Sequence, residues 1–310
     1  MLDEAAKEIE HSNTLWNENQ PLRDQQETDI GYWGSYEFKM PKEEGKWDNV
    51  TTNSPKILAN KIMGLLSSST MQLFIDVDEE KKKERQRISN AEMLANGSIW
   101  LADRRLTRLP SGKKIQPSLS SFAVLEGGTV KLVYWYEKDG EPICDIKVYD
   151  PMFTQWEEGE EDIVWFCHRA YVTERFIKRT YAKEIKDGFN FGESKDKKIL
   201  TYTFWDDDEW KVAINKQYID GDKHGLGYVP VNIRSCGSVP YIQSEKYKDD
   251  AMRFSWQSYA LNTREIYDLE SKLISIESTN AVESGKRTAI GEYSSLLSNN
   301  QPPDLTPTGS

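Results

Sequence analysis

At 310 residues the chain has room for two ordinary domains or one elongated protomer, and its 37% hydrophobic content is low for that length. Ten Trp, fifteen Tyr and ten Phe make up part of the deficit, because each ring buries a large area. The net charge of −11 argues against sequence-reading nucleic-acid binding, and no apolar run approaches the roughly 18 residues of a membrane span.

The opening segment, MLDEAAKEIEHSN, is too polar and acidic for a signal peptide. Residues 1–50 read as an N-terminal arm that packs Tyr32, Trp33, Tyr36 and Phe38 onto the body. Helix-start signals follow, with Ser54 as cap and Pro55 at the first helical position. They predict a helix over 55–67 that buries Leu58, Ile62, Leu65 and Leu66. MQLFIDV reads as a strand, and Asp78 caps a second helix over 79–106. Its run of Lys81, Lys82, Lys83, Arg85 and Arg87 offers a phosphate patch. Asp78, Glu79, Glu80 and Glu84 lie beside it, so a solvated face is the cheaper reading.

Strand-like alternation occupies 119–218. SFAVLE, TVKLVYWYE and ICDIKVYD form a meander, FTQW and DIVWFCHRAYV a hairpin, and KILTYTFW with WKVAINKQYI another. A helix over 173–186 interrupts them, with Phe176, Ile177 and Tyr181 inward. Helices flanking antiparallel strands define an α+β class. HGLGYVPVNI and RSCGSVPYIQS then supply two Gly-Pro hinges (Gly227, Pro230, Gly237, Pro240). From Ser244 to about Ser278 the pattern predicts one long helix of roughly 34 residues, about 50 Å. It is apolar on more than one side, with Phe254, Leu261, Leu269 and Leu273 on one face and Trp256, Tyr259, Ile266 and Tyr267 on others. Such a helix is covered on more than one side, by its own domain or by neighbouring subunits.

Motifs for chemistry are sparse. No Gly-Lys pair completes a P-loop, and Gly225-Leu-Gly227 precedes a strand, so it reads as a turn. Cys144, Cys167 and Cys236 include no CxxC and fit no disulfide framework, which points to a reducing compartment. His168 follows Cys167, but neighbours on a strand face opposite ways and cannot readily share a metal or form a nucleophile pair. The acids of Trp205-Asp-Asp-Asp-Glu-Trp210 resemble a glycosidase pair between aromatics. A hairpin tip with its two Trp paired across strands explains them more cheaply.

An ordered series of segments resembles the phage portal family, the rings at the packaging vertex of tailed-phage capsids. VTTNSPKILANKIMGLL and ISNAEMLANGSIWLADRRL are similar to the first helices of the portal wing, and DIKVYDPMFTQW to its strand and Asp-Pro turn. HGLGYVPV resembles the hinge before the stem helix. The resemblance covers most of 50–280. It implies a wing over 51–243, a stem helix over 244–278, and over 279–310 the start of a clip or a disordered end, the returning helix being missing.

By that resemblance the chain is a structural protein of the virion, assembled in the host cytoplasm. It would form a homo-oligomeric ring, typically dodecameric, that double-stranded DNA crosses during packaging and ejection without sequence recognition. Terminase large subunit, head-completion or tail adaptors, capsid and scaffolding proteins would be its partners. No catalytic residue, cofactor, metal or membrane is implied. Seven acids against five bases over 244–278 suit a channel that lets phosphates slide. Trp256, Tyr259, Arg264 and Tyr267 are the expected subunit contacts. The rival readings are a carbohydrate-binding or glycoside-cleaving protein built on residues 205–210, and another virion adaptor.

Overall fold

Alternating strands that are apolar on both faces need cover on both sides, and the computed structural model of the protein supplies it. The structure describes residues 2–298 except 37, 40–47, 70–73, 75–84, 109, 111, 139, 186–188, 193–197 and 238–247. The class is α+β, and the chain divides into two compact units, Met1–Ile30 with Ala59–Tyr259 and Gly31–Leu58 with Ala260–Ser310.

In the first unit, β1 (Gly128–Lys138) lies between β2 (Glu141–Tyr149) and β8 (Val231–Ser235) in an antiparallel three-stranded sheet. β3 (Thr154–Glu158), β4 (Ile163–Thr173), β5 (Lys198–Trp205), β6 (Glu209–Ile214) and β7 (Gln217–Lys223) form a second antiparallel sheet in sequence order. The sheets meet through one apolar cluster, with Val130, Leu132 and Tyr149 from the first and Phe166 and Trp205 from the second. Cys144 and Ile146 of β2 pack instead with Ala102 of α4 (Arg85–Leu106) and with Ile115 and Leu119 of α5 (Ile115–Glu126).

The far face of the five-stranded sheet carries α1 (Leu2–Glu18). Ile9 enters a cluster with Trp165, Cys167, Tyr202 and Phe204, Ser12 Oγ donates to Gln155 Oε1 at 3.0 Å, and Tyr218 donates to Glu8 at 2.8 Å. Within the segment 1–50 expected as an N-terminal arm, residues 2–34 are almost wholly helical. α2 (Gln20–Gly34) follows at once, and one polar face of it, Arg23, Gln25, Gln26 and Asp29, is buried while Asp24, Glu27 and Thr28 are exposed. Gln26 Nε2 donates to the Glu126 carbonyl at 2.9 Å, Gln25 Nε2 to that of Arg253 at 3.2 Å, and Ser258 Oγ to Asp29 at 2.5 Å. A polar helix face can be internal when it is matched to backbone groups in this way.

Several expected elements differ. SFAVLE is the end of α5 rather than a strand: Ile115 and Leu119, four residues apart, share a buried helical face, and Gly127, at φ 76°, caps the helix left-handed. Pattern alone does not separate helix from strand over so short an apolar run. WKVAINKQYI is two strands, broken where Asn215 and Lys216 both take positive φ in a tight turn. The helix after β4 is only α6 (Glu174–Thr180), capped by Thr173; Ile177 is buried as expected, but Phe176 is half exposed. The predicted helix at 55–67 is α3 (Ser54–Ser67), yet it buries small Pro55 and Ala59 and leaves Leu58, Leu65 and Leu66 outward. The strand at MQLFIDV (apart from exposed Phe74), the Asp78 cap and Lys81–Lys83 lie outside the described residues.

The single helix over 244–278 is not formed. α7 (Lys248–Ser255) ends, residues 256–263 run irregularly, and α8 (Arg264–Ser298) begins. α8 has 35 residues, about 50 Å, so a long helix exists but starts some twenty residues later than expected.

Candidate interaction surfaces

The break in the long helix has a physical cause. Trp256 is 4% exposed and packs at 5.4 Å from Trp156. It reaches that depth because Gly127 and Gly128 have no side chains. A Cβ on Gly128 would lie 2.2 Å from the Trp256 ring, and one on Gly127 would lie 2.3 Å from the Trp256 carbonyl oxygen. Tyr259 N–H donates to the Val124 carbonyl at 2.9 Å, fixing the next residues. A continuous helix would withdraw Trp256 from this site, and burying a Trp outweighs a turn of helical hydrogen bonds.

Sequence reasoning offered Trp256, Tyr259, Arg264 and Tyr267 as subunit contacts. The structure buries two of the four. Trp256 is core, and Tyr267, 6% exposed, packs against Tyr32 at 5.8 Å within the second unit. Tyr259 and Arg264 are half-buried. Of the hinge residues, Gly227 takes φ 71° before β8, and the Pro230 carbonyl accepts Val133 N–H at 3.0 Å, so this segment is fixed at the sheet edge. Gly237 N–H donates to the Ser255 carbonyl at 2.7 Å, an approach that any Cβ would block. Pro240 lies outside the described residues.

The second unit holds a feature that sequence reasoning missed. One face of α8 carries Ser271, Ser275 and Thr279 at four-residue intervals. Their hydroxyls accept backbone N–H groups of an extended strap: Thr52 at 3.3 Å, Val50 at 2.9 Å and Asp48 at 2.8 Å. Two residues of strand rise about 6.6 Å and four of helix about 6 Å, so the two periods run in step. Ser275 and Thr279 each donate to the carbonyl four residues earlier, which leaves a lone pair for the strap. The Ser-x-x-x-Ser-x-x-x-Thr spacing was the available signal.

Another strip of α8 is apolar and exposed, between charged positions such as Glu265 and Asp268. Ile266 is 60% exposed, Leu269 55% and Leu273 57%, at steps of three and four residues, with Ile274 beside them. An exposed apolar seam at that spacing makes this face of the helix a candidate interaction surface.

The enzyme-like candidates resolve into structure. Trp205 and Trp210 are cross-strand partners with rings 6.1 Å apart, and Asp206 Oδ1 caps the turn by accepting the N–H groups of Asp208 at 2.9 Å and Glu209 at 2.6 Å. Asp208 pairs with Lys223 at 3.0 Å and Glu209 with Lys211. Trp205 is 4% exposed, covered by His224 at 5.5 Å, so it offers no open ring for a sugar. Cys167 and His168 face opposite ways as alternation requires. Cys167 lies under Ser12, its thiol pushed up to about 12 by burial, while His168 stacks on Tyr149 at 4.2 Å, pushed down to about 4 by burial. Among the described residues no cluster of three His, Cys, Asp or Glu could hold a metal, and no helix is long and apolar enough to cross a membrane.

No protein-family model matches the chain, and no curated protein matches its sequence.

Proposed function

We propose that the chain is a structural, ring-forming subunit of the phage-portal kind, in which α8 packs against α8 helices of neighbouring copies. The single observation that carries this reading is the uncovered seam of Ile266, Leu269 and Leu273 on a 35-residue helix whose other face is occupied by the strap. The ordered resemblance of residues 50–280 to portal segments supplies the class. In this reading the ring passes double-stranded DNA, and its net charge of −11 keeps phosphates from adhering. Terminase and tail adaptors dock on it, and the particle is the virion vertex. The subunit contacts move from Trp256 and Tyr267 to the exposed seam.

Negative-stain microscopy with light scattering at high protein concentration tests this. Rings or discrete oligomers are expected from the unmodified chain. Leu269→Glu with Leu273→Glu is expected to give monomers with unchanged helical circular dichroism. Monomers alone at every concentration, or oligomers indifferent to the double substitution, would sink the proposal.

A further inference from the structure

β8 closes one sheet and β3 closes the other, so each has one hydrogen-bonded neighbour strand among the described residues. Between β8 and the β3–β4 turn runs a groove of about 530 Å³. Its floor includes Trp156, Ile163, Ile233 and the edge of Trp256, and its rim is the turn carrying Glu158, Glu160, Glu161 and Asp162. Arg234 is the only base among the described residues that line it. The rim acids are exposed, and none forms an ion pair with a described residue.

The register of β8 fixes which of its backbone groups face this groove. Val133 N–H donates to the Pro230 carbonyl at 3.0 Å, and Cys236 N–H to the Gly127 carbonyl at 2.8 Å. Residues opposite one another alternate between bonded and non-bonded pairs along an antiparallel ladder. Pro230, Asn232, Arg234 and Cys236 therefore point their main-chain groups at β1, and Ile233 and Ser235 point theirs away from it. Val231 N–H, also outward, is already taken by the Val229 carbonyl at 2.8 Å. The N–H and carbonyl of Ile233 and the N–H of Ser235 have no partner among the described residues. Ile233 is half-buried and Ser235 exposed, so both are within reach of an added strand.

We propose that this groove binds an extended, lysine- or arginine-bearing peptide segment of a partner protein, added as a fourth strand beside β8. Free main-chain groups on an edge strand recognise backbone without regard to sequence. The acidic rim selects the side chains: an added strand sends alternate residues to each face, and cationic heads there meet Glu158, Glu160, Glu161 and Asp162. The Trp156 ring gives the aliphatic stems and cations an aromatic surface. This inference is independent of the ring reading, since it uses neither α8 nor self-association.

The probe is a fluorescently labelled ten-residue peptide with lysine alternating with valine or threonine, followed by anisotropy with the full chain. Binding is expected, weakening severalfold as salt rises. Glu160→Lys with Glu161→Lys should weaken it at least tenfold. Ile233→Pro removes an outward N–H without touching the β1 ladder and should abolish binding while leaving the melting temperature near that of the unmodified chain. Should that variant unfold, a peptide N-methylated at alternate amides does the same work from the ligand side: it keeps every charge and loses strand pairing, and is expected to bind at least tenfold more weakly. No binding overturns the proposal. So does equal binding by the methylated peptide, or displacement by spermidine as effective as by the peptide, because each reduces the groove to an acidic patch.

Discussion

Replacing the three hydroxyls of α8 separates the strap from the helix without disturbing the helix itself. In the Ser271→Ala, Ser275→Ala, Thr279→Val variant the N–H groups of Thr52, Val50 and Asp48 lose their acceptors. Each neutral hydrogen bond contributes about 1 kcal/mol net, more where the orphaned donor stays out of water. Thr52 is 9% exposed and cannot turn to solvent, whereas Asp48 is exposed and water substitutes. The strap should open more easily by about 3 kcal/mol, a loss of roughly a hundredfold in amide protection at positions 50 and 52. The helix responds in the opposite sense, since Ala favours helix over Ser by a few tenths of a kcal/mol. Native-state hydrogen exchange read residue by residue gives both numbers. If protection at Val50 and Thr52 were unchanged while α8 kept its own, the hydroxyl ladder would not be what holds the strap.

Trp256→Ala should cost about 3–5 kcal/mol and lower the melting temperature by many degrees, because the ring is 4% exposed between Trp156 and Gly128. Gly128→Ala should be nearly as damaging, since the new methyl lies where the Trp256 ring is; equal stability would mean the contact yields freely. His168 is held neutral by burial, lowered from 6.5 to about 4, so the folded state binds fewer protons than the unfolded one in that window. Stability is therefore lost as pH falls from 6.5 to 4, by roughly 3 kcal/mol, and His168→Phe should remove that slope in acid titrations followed by circular dichroism. Glu126 behaves oppositely. Burial, then the neighbouring Asp150, raises its carboxyl well above 4.5, so stability falls as pH rises from 4.5 through that raised value. Glu126→Gln should flatten this fall, and a variant that retains it would locate the proton elsewhere.

Local chemistry made much of the middle third legible. The alternation of DIVWFCHRAYV and KILTYTFW, and the acidic turn between Trp205 and Trp210, identify a hairpin without outside help. Facing could be read too, as Cys167 and His168 show. What escaped were elements decided by distant partners. The polar run of α2 looks solvated until the carbonyls of Glu126 and Arg253, some hundred and two hundred residues on, are set against it. The break after Ser255 contains no Gly or Pro to announce it. Trp256 and Ser258 leave the helix because Gly127, Gly128 and Asp29 receive them. The buried positions of α3 were misjudged for a related reason: size marked Leu58 and Leu65 as core, whereas the close packing favours Pro55 and Ala59.

The misplaced start of the long helix alters the functional argument more than its length does. A helix running from Ser244 would have presented Trp256, Tyr259 and Tyr267 together on a stem. The actual α8 begins at Arg264, and its exposed apolar positions are Ile266, Leu269 and Leu273, with half-buried Ile276 next in the series. Steps of three, four and three residues are the spacing at which two helices pack at a crossing angle near +20°, side by side over several turns. A helix covered by a globular neighbour at a steep angle would need only one or two such residues at the crossing point. The seam continues along the axis, so in the ring proposed above it would take another long helix at a shallow angle. The other described helices reach at most 22 residues, and the proposed ring would supply a second copy of α8 in that place.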